Sequence, residues 1–284
     1  MELDEMRAEK EWMVEAEGVS YTYEGNERKA LDKVSLKLGR GRKIAFMGGN
    51  GSGKSTFFLC MNGILKPQEG KVLIGGSPVE YTRKGLLEVR QKVGIVFQEP
   101  DDQLFSASVF QEISFGILNL GVDEERARNE VEQVIRKLGI TPFRDRPAHA
   151  LSGGQKKLVA IADILVMHPE VLILDEPAAS LDPKHRNLVR SIVEGLSEKG
   201  MTILMATHDV DYAYAWADEI VLLHEGKVLR QGTPLQVCAD ERAMEQANLE
   251  PPAVMRLYRR LVQRGILSPE EGPPKTIEDL ERRI

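Results

Sequence analysis

Two glycine-bearing loops in this chain have the makings of anion sites, and only one of them carries a lysine. The first, GGNGSGKST at residues 48–56, fits G-x-x-x-x-G-K-[ST], with Gly48, Gly53, Lys54 and Ser55 in the required places. It follows the apolar run KIAF and opens a helical pattern. Glycines there let the backbone wrap closely, so that N–H groups along Gly48, Gly49, Asn50, Gly51, Ser52, Gly53 and on to Thr56 can face a β-phosphate. Lys54 adds a point charge for the β/γ oxygens, and Ser55 offers a hydroxyl to Mg²⁺. The second loop, LSGGQ at 151–155, sets Ser152, Gly153, Gly154 and Gln155 at the start of another helical pattern. A helix start favours an anion through its free N–H groups and its dipole. A third stretch, VLILDEP, is a short apolar strand that delivers Asp175 and Glu176 at its carboxyl end, where open α/β sheets bind ligands. Asp175 suits Mg²⁺, directly or through water, and Glu176 suits the base for an attacking water.

These groups need a framework. Residues 13–47 read as β-rich: MVEAEGVSYTY, KVSLKL and KIAFMG run apolar or alternate, with turn residues between them. After the helix KSTFFLCMNGIL come two strands, KVLIGG and VGIVF. From about 100 to 167 the pattern turns helical, and EERARNEVEQVIRKLG aligns Val131, Val134, Ile135 and Leu138 on one face before Gly139 stops it. Strands VLILD, TILMAT and EIVLL then alternate with helices at 183–199 and 210–217. Such alternation predicts a mostly parallel sheet covered on both faces. The last forty residues hold two short amphipathic segments, AVMRLYRRLVQRG and TIEDLERRI, split by SPEEGPP. They read as an appended docking piece or lid. We divide the chain at 13–235, with a helical subdomain at about 100–167, and 236–284.

With 284 residues, 42% hydrophobic and 29% charged, the composition is that of an ordinary globular protein. A net charge of −6 argues against a nucleic-acid partner. No apolar run has the roughly 18–20 residues of a membrane span, and the charged start MELDEMRAEKEW has no signal-peptide core. Cys60 and Cys238 fall in no metal-ligand spacing and read as reduced structural thiols.

LSGGQ is similar to the signature of ATP-binding cassette (ABC) ATPases, and the other motifs follow in that family's order across roughly 13–235. The resemblance implies the fold of a P-loop cassette: a β-rich N-terminal subdomain, a mostly parallel α/β core, an inserted helical signature subdomain and a short helical extension. It implies ATP and Mg²⁺ as ligands. It also implies a head-to-tail pair of cassettes, in which Ser152, Gly153 and Gly154 of one close over the γ-phosphate held by Lys54 of the other. The lysine missing from the second loop then comes from the partner subunit.

Further roles follow from the resemblance, position by position. Tyr23 stacks on adenine, with Tyr21 as its rival. Gln98 senses Mg²⁺ and the γ-phosphate and links to the membrane partner. Asp182, in SLD at 180–182, couples the two sites. His208 contacts the γ-phosphate and orients Glu176. His149, His168, His185 and His224 match no motif and read as structural. Gly49 stands where Pro is frequent, Leu158 where Arg is usual, and EPAASLD replaces EPTAGLD or EPTSALD; none of these removes a catalytic group.

One P-loop, one signature and no fused membrane domain point to the separate ATPase subunit of an importer. FQEPDDQLFSASVFQEISFG at 97–116 resembles the cobalt/nickel and energy-coupling-factor type. In that type Asp101, Asp102, Leu104 and Phe105 are expected to line the groove that receives a helix of a multispanning coupling subunit. A membrane substrate-binding subunit completes the assembly, and the chain is placed peripherally on the cytoplasmic face. Cobalt or nickel systems pair two copies of one ATPase; vitamin-sharing systems pair two different ones. A soluble ABC ATPase acting on nucleic acid and a nucleotide-gated regulatory module are the readings set aside.

Overall fold

The computed structural model describes residues 12–284; the charged start of the chain, and the expectation attached to it, lie outside them except for Trp12. Two sheets organise the chain. The first is antiparallel, in the order β2 (Leu31–Gly39), β1 (Trp12–Tyr21), β4 (Glu69–Ile74), β5 (Ser77–Pro78). The second runs β10 (Lys227–Gly232), β9 (Glu219–His224), β3 (Lys43–Met47), β8 (Thr202–Ala206), β7 (Val171–Asp175), β6 (Val93–Val96). All its pairings are parallel except the β9–β10 hairpin.

Helices cover the second sheet on both faces because its strands are apolar on both. Along β3, Ala45 and Met47 enter one core while Ile44 and Phe46 enter the other. β7 divides the same way, with Leu172 and Leu174 opposite Val171 and Ile173. The alternation is the period of two along a strand. One core lies beneath the antiparallel sheet and takes Phe57, Phe58, Cys60 and Met61 from α1 (Lys54–Met61), together with Val89 from α2 (Arg83–Lys92). The other takes α3 (Val109–Asn119), α4 (Glu124–Lys137), α5 (Gly153–Leu165), α6 (Pro183–Ser197) and α7 (Val210–Trp216). The face foreseen for α4 is the buried one, with Val131, Val134, Ile135 and Leu138 inside and Gly139 beyond the end at φ 69°. Cys60 and Cys238 are free and buried, and burial pushes both thiols up to about 12, so neither is a thiolate at neutral pH.

The C-terminal residues continue this second core. After α8 (Pro234–Cys238) and α9 (Glu241–Gln246), α10 (Ala253–Gln263) buries Val254, Met255 and Tyr258, and α11 (Ile277–Glu281) buries Leu280, in the cluster that holds Tyr214 and Trp216. The Ala253 N–H donates to Asp211 at 2.6 Å, and the Tyr258 hydroxyl donates to the Ser268 carbonyl at 3.1 Å. The segment is thus packed rather than poised as a lid. Among the described residues no helix is long and apolar enough to cross a membrane.

Candidate active site

β3 ends at Met47 and α1 begins at Lys54, so residues 48–53 must turn the chain at the carboxyl edge of the sheet. Two positions in that turn admit only glycine. Gly48 has φ 143°, and a Cβ there would lie 2.2 Å from the Leu223 carbonyl oxygen; Gly53 has φ 105°, and its Cβ would lie 2.7 Å from that of Ala30. Gly53 caps α1 without a side-chain hydrogen bond, which leaves first-turn N–H groups for an anion. Lys54 Nζ donates to the carbonyls of Gly48 (2.8 Å) and Gly49 (3.1 Å) and to Ser52 Oγ (3.3 Å). Burial lowers its pKa, against the opposing pull of Glu176 and Asp175. The loop therefore holds its own cation on its own carbonyls and Ser52, and Ser55 beside it is exposed. Asn50 and Gly51 form the exposed crown of the loop.

The strands neighbouring β3 bring the rest to the same edge. β8 lies between β3 and β7, with Asp175 opposite Ala206 in register. Asp175 is buried at 7% exposure. Glu176 follows at φ 45°, a left-handed backbone that a β-carbon makes costly, held by its N–H donating to the Ala206 carbonyl at 3.1 Å. That turn aims its carboxylate at His208, just past β8, with Glu176 Oε2 2.9 Å from His208 Nδ1. The carboxylate is largely buried and the imidazole largely exposed. Gln98 lies two residues beyond Val96, the last residue of β6, which pairs with Leu174; its side chain is exposed. The structure thus gathers Lys54, Asp175, Glu176, His208 and Gln98 along one sheet edge. A glycine cradle, a buried carboxylate and an exposed hydroxyl are a donor set that fits nucleotide phosphates with a hard cation.

Tyr23 lies just after β1, half-exposed, with its hydroxyl 3.2 Å from Thr56 Oγ1 and its ring edge-on to Tyr21 at 5.1 Å. Tyr21 instead packs on the core beneath the antiparallel sheet. The second glycine loop begins α5. Ser152 Oγ accepts the Gln155 N–H at 3.3 Å, and Gln155 Oε1 accepts the Ser152 N–H at 3.0 Å, a reciprocal cap. A Cβ on Gly153 would meet open space; one on Gly154 would fall 2.4 Å from the His185 ring. His185, which matches no sequence motif, is held by Asp182: its N–H donates to Oδ1 at 2.9 Å, and its Nδ1 lies 2.6 Å from Oδ2. These two bonds hold the Asp182 carboxyl below its ordinary range, the backbone bond more than the ring. Leu158, where an arginine is usual, is a core residue at 5% exposure. Gly49, where proline is frequent, lies where an added Cβ would sit 3.7 Å from the Ala247 carbonyl, so the C-terminal segment passes beside the phosphate loop.

Sequence reasoning missed the polar contacts between α5 and residues 97–103. Lys156 reaches Asp101 at 2.5 Å, Lys157 reaches the Phe97 and Gln98 carbonyls, and Gln103 Nε2 reaches the Ala160 carbonyl (3.3 Å) and Asp163 Oδ2 (3.1 Å). The available signal was two lysines and an aspartate inside the apolar pattern KKLVAIADIL. Burial raises Asp163 from 3.8 to about 7, offset in part by Gln103. Its folded pKa exceeds the unfolded one, so its stabilising contribution is fully present below about pH 4 and is lost as pH rises through about 7. Asp163→Asn should remove that slope and stabilise the chain at about pH 8 relative to wild type by roughly 2–4 kcal/mol. Denaturant unfolding of both proteins at about pH 5 and about pH 8 measures it; parallel pH dependences would refute the assignment.

A phosphate cradle, a strand-end carboxylate pair and a paired histidine on a parallel sheet define a P-loop nucleotide hydrolase. A family model described as ABC transporter matches residues 31–179. The chain is 44% identical over 269 residues to the cobalt import ATP-binding protein CbiO of Rhodobacter capsulatus, covering 95% of this chain and 96% of that one. It is 44% identical over 254 residues to the energy-coupling factor transporter ATP-binding protein EcfA of Methanocaldococcus jannaschii, covering 89% and 90%. Some relatives are longer: the chain spans 59% of a Methanosarcina mazei ABC transporter ATP-binding protein, matching it at 42% identity over 94% of its own length. Solved structures align too. CbiO1 of Clostridium perfringens, part of a transporter complex, gives a TM-score of 0.73 at 41% identity over 90% of this chain and all of that one. A dimeric ATP-binding cassette bound to ADP and Pi gives 0.71 at 28% identity over 78% and 99%. The chain belongs to the ABC transporter ATP-binding family, ATP hydrolases coupled to transport across a membrane, within the CbiO and energy-coupling-factor branch.

Proposed function

We propose that this chain is the ATPase subunit of an energy-coupling-factor-type importer whose cargo is cobalt or, in second place, nickel. The observation that carries the ATPase part is the Glu176–His208 pair at the edge that holds Lys54 and Asp175. Glu176 takes the proton of the attacking water, and His208 fixes the direction of that carboxylate. Lys54 neutralises phosphate oxygens. Ser55, Asp175 and Gln98 would hold Mg²⁺, which would supply charge neutralisation for the phosphates. Tyr23 receives the adenine. A second cassette completes each site with Ser152, Gly153 and Gly154, and Asp182 links the two sites. The division at 235 then separates the catalytic cassette from a helical segment that packs on it.

The membrane partner docks in a groove beside β6. This cavity of about 460 Å³ is lined by Ile64, Leu87, Phe97, Phe115, Gln103 and Asp163. The stretch expected to line the groove borders it: Gln103 is in the lining and Phe105 packs on Phe115. Asp101 is paired with Lys156, Leu104 packs on the core, and Phe105 is exposed with its ring edge-on to Phe115 at 5.2 Å. A helix of a multispanning coupling subunit, with a substrate-binding subunit beyond it, fits such a mostly apolar trough. The chain then sits on the cytoplasmic face of the membrane. Phe115→Glu should abolish recovery with membranes in cells that express the partner while nucleotide binding persists, because an unpaired carboxylate enters the apolar contact. Undiminished membrane recovery would move docking elsewhere. Cargo is decided by uptake of radiolabelled cobalt, nickel or vitamins into vesicles bearing the whole complex: cobalt or nickel uptake supports the proposal, and vitamin uptake alone replaces it.

A further inference from the structure

Four charged side chains among the described residues are buried: Lys54, Glu112, Lys157 and Asp175. Lys54 and Asp175 belong to the nucleotide site, and Glu112 accepts the Phe105 and Ser106 N–H groups. Lys157, at 1% exposure, has no such explanation. An ammonium ion is costly to bury, and it is kept where its hydrogen bonds fix something else. Lys157 donates to the Gln98 carbonyl at 2.8 Å and to the Phe97 carbonyl at 2.9 Å. Burial drags its pKa down to about 8, while the charges of Glu99 and Asp175 oppose that shift.

The two acceptors belong to different surfaces. Phe97 lines the groove beside β6, and Gln98 stands at the nucleotide edge. The donor belongs to neither, since it rises from α5, whose first residues are the signature glycines. Further contacts run along the same face of α5: Lys156 to Asp101, the Ala160 carbonyl to Gln103, and Asp163 to Gln103. Positions 156 and 157, 160 and 163 recur every three or four residues, the spacing of one helix face. Residues 97–103 are therefore strapped along the signature helix.

We propose that Lys157 is a positioning residue that ties Gln98 to the signature helix, so that the helix and the glutamine move as one body. Closure of a partner cassette's nucleotide against Ser152–Gly154 then displaces Gln98 in this chain's own site and Phe97 in the groove together. The inference rests on the reading of Gln98 as the group that meets Mg²⁺ and the γ-phosphate. Lys157 touches no substrate and acts only through the Gln98 backbone.

The test is a double-mutant cycle on the full-length protein. Lys157→Met removes both donors and the charge but keeps an unbranched stem. Misplacing a reacting group by about 1 Å can cost roughly a hundredfold, so kcat should fall about tenfold to a hundredfold, with a higher half-saturating Mg²⁺ concentration and unchanged ATP binding in EDTA. In a Gln98→Ala background the same substitution should change kcat by less than about twofold, because the group it positions is gone. Lys157→Gln, whose amide can still donate to a carbonyl, should recover part of the loss, and it carries the same cycle where the Met variant does not fold. If Gln98→Ala alone has wild-type activity, the reading of Gln98 fails. If Gln98→Ala is impaired and the Lys157 effect multiplies undiminished upon it, or if Lys157→Met leaves kcat and the Mg²⁺ requirement unchanged, Lys157 serves the fold only and the proposal is overturned.

Discussion

Glu176→Gln should bind ATP and fail to turn it over. Gln has the shape of Glu and keeps a hydrogen-bonding group toward His208, but it cannot take a proton from water. The geometry isolates this effect. Glu176 sits in a left-handed backbone whose N–H is held by the Ala206 carbonyl, so the turn is fixed by the sheet and not by the carboxylate. Its Oε2 lies 2.9 Å from His208 Nδ1, and the substitution leaves its neighbour Asp175 in place. Losing a positioned base costs about 10²- to 10⁴-fold. Steady-state phosphate release should fall by that factor while equilibrium binding of ATP stays near wild type. A variant that hydrolyses ATP at the wild-type rate would remove Glu176 from the role of base.

Much of this arrangement was legible because motif and topology constrain each other. A strand ending in a glycine loop with lysine can only deliver phosphates to the carboxyl edge of a parallel sheet, and VLILDEP, as another parallel strand of that sheet, brings Asp175 to the same edge with β8 between them. His208 was legible from its place after TILMAT. The elements missed are those whose signals are local and weak. α2 owes its start to Thr82, whose hydroxyl accepts the Gly85 N–H, and its polar sequence buries little beyond Val89. β10 is half-exposed throughout and is fixed by pairing with β9, not by apolar period. α8 and α9 are too short to show a period.

The site residues missed have a different cause. Lys157 and Gln103 read as surface polar groups in a sequence, and only the packing of α5 against 97–103 turns them inward. His185 has no motif because its partners are the Asp182 carboxyl and a glycine with no side chain to interfere. The groove residues outside that stretch were missed for the same reason. PDD forms a tight turn that points Asp101 at Lys156, while the lining comes from Ile64, Leu87 and Phe115, distant in sequence. Contacts made by backbone carbonyls carry no trace in the identity of the residues that supply them.

Mixing two inactive proteins should restore tight ATP occlusion, at up to one site per dimer. The first is Lys54→Ala, which removes the cation that the phosphate loop holds through Gly48, Gly49 and Ser52. The second must spoil the signature without disturbing its own chain. Gly154 is unsuitable, because any Cβ there strikes the His185 ring and through it Asp182. Ser152 is unsuitable because its hydroxyl caps α5, and losing such a cap costs about 1 kcal/mol of stability. Gly153 opens onto free space. An aspartate there suits the fold, since a carboxylate at a helix start is favourable by roughly 0.3–1 kcal/mol, yet it places negative charge where a γ-phosphate must close. Each mutant homodimer then has two broken sites. In a mixed dimer both lesions fall in one site, and the other joins an intact cradle to an intact signature. Were the signature to serve the phosphate loop of its own chain, every site in the mixture would stay broken. Occlusion of labelled ATP is the readout because turnover can require both sites. Heterodimers shown to be present by differential tagging, yet trapping no nucleotide under conditions where wild type does, would overturn the shared site.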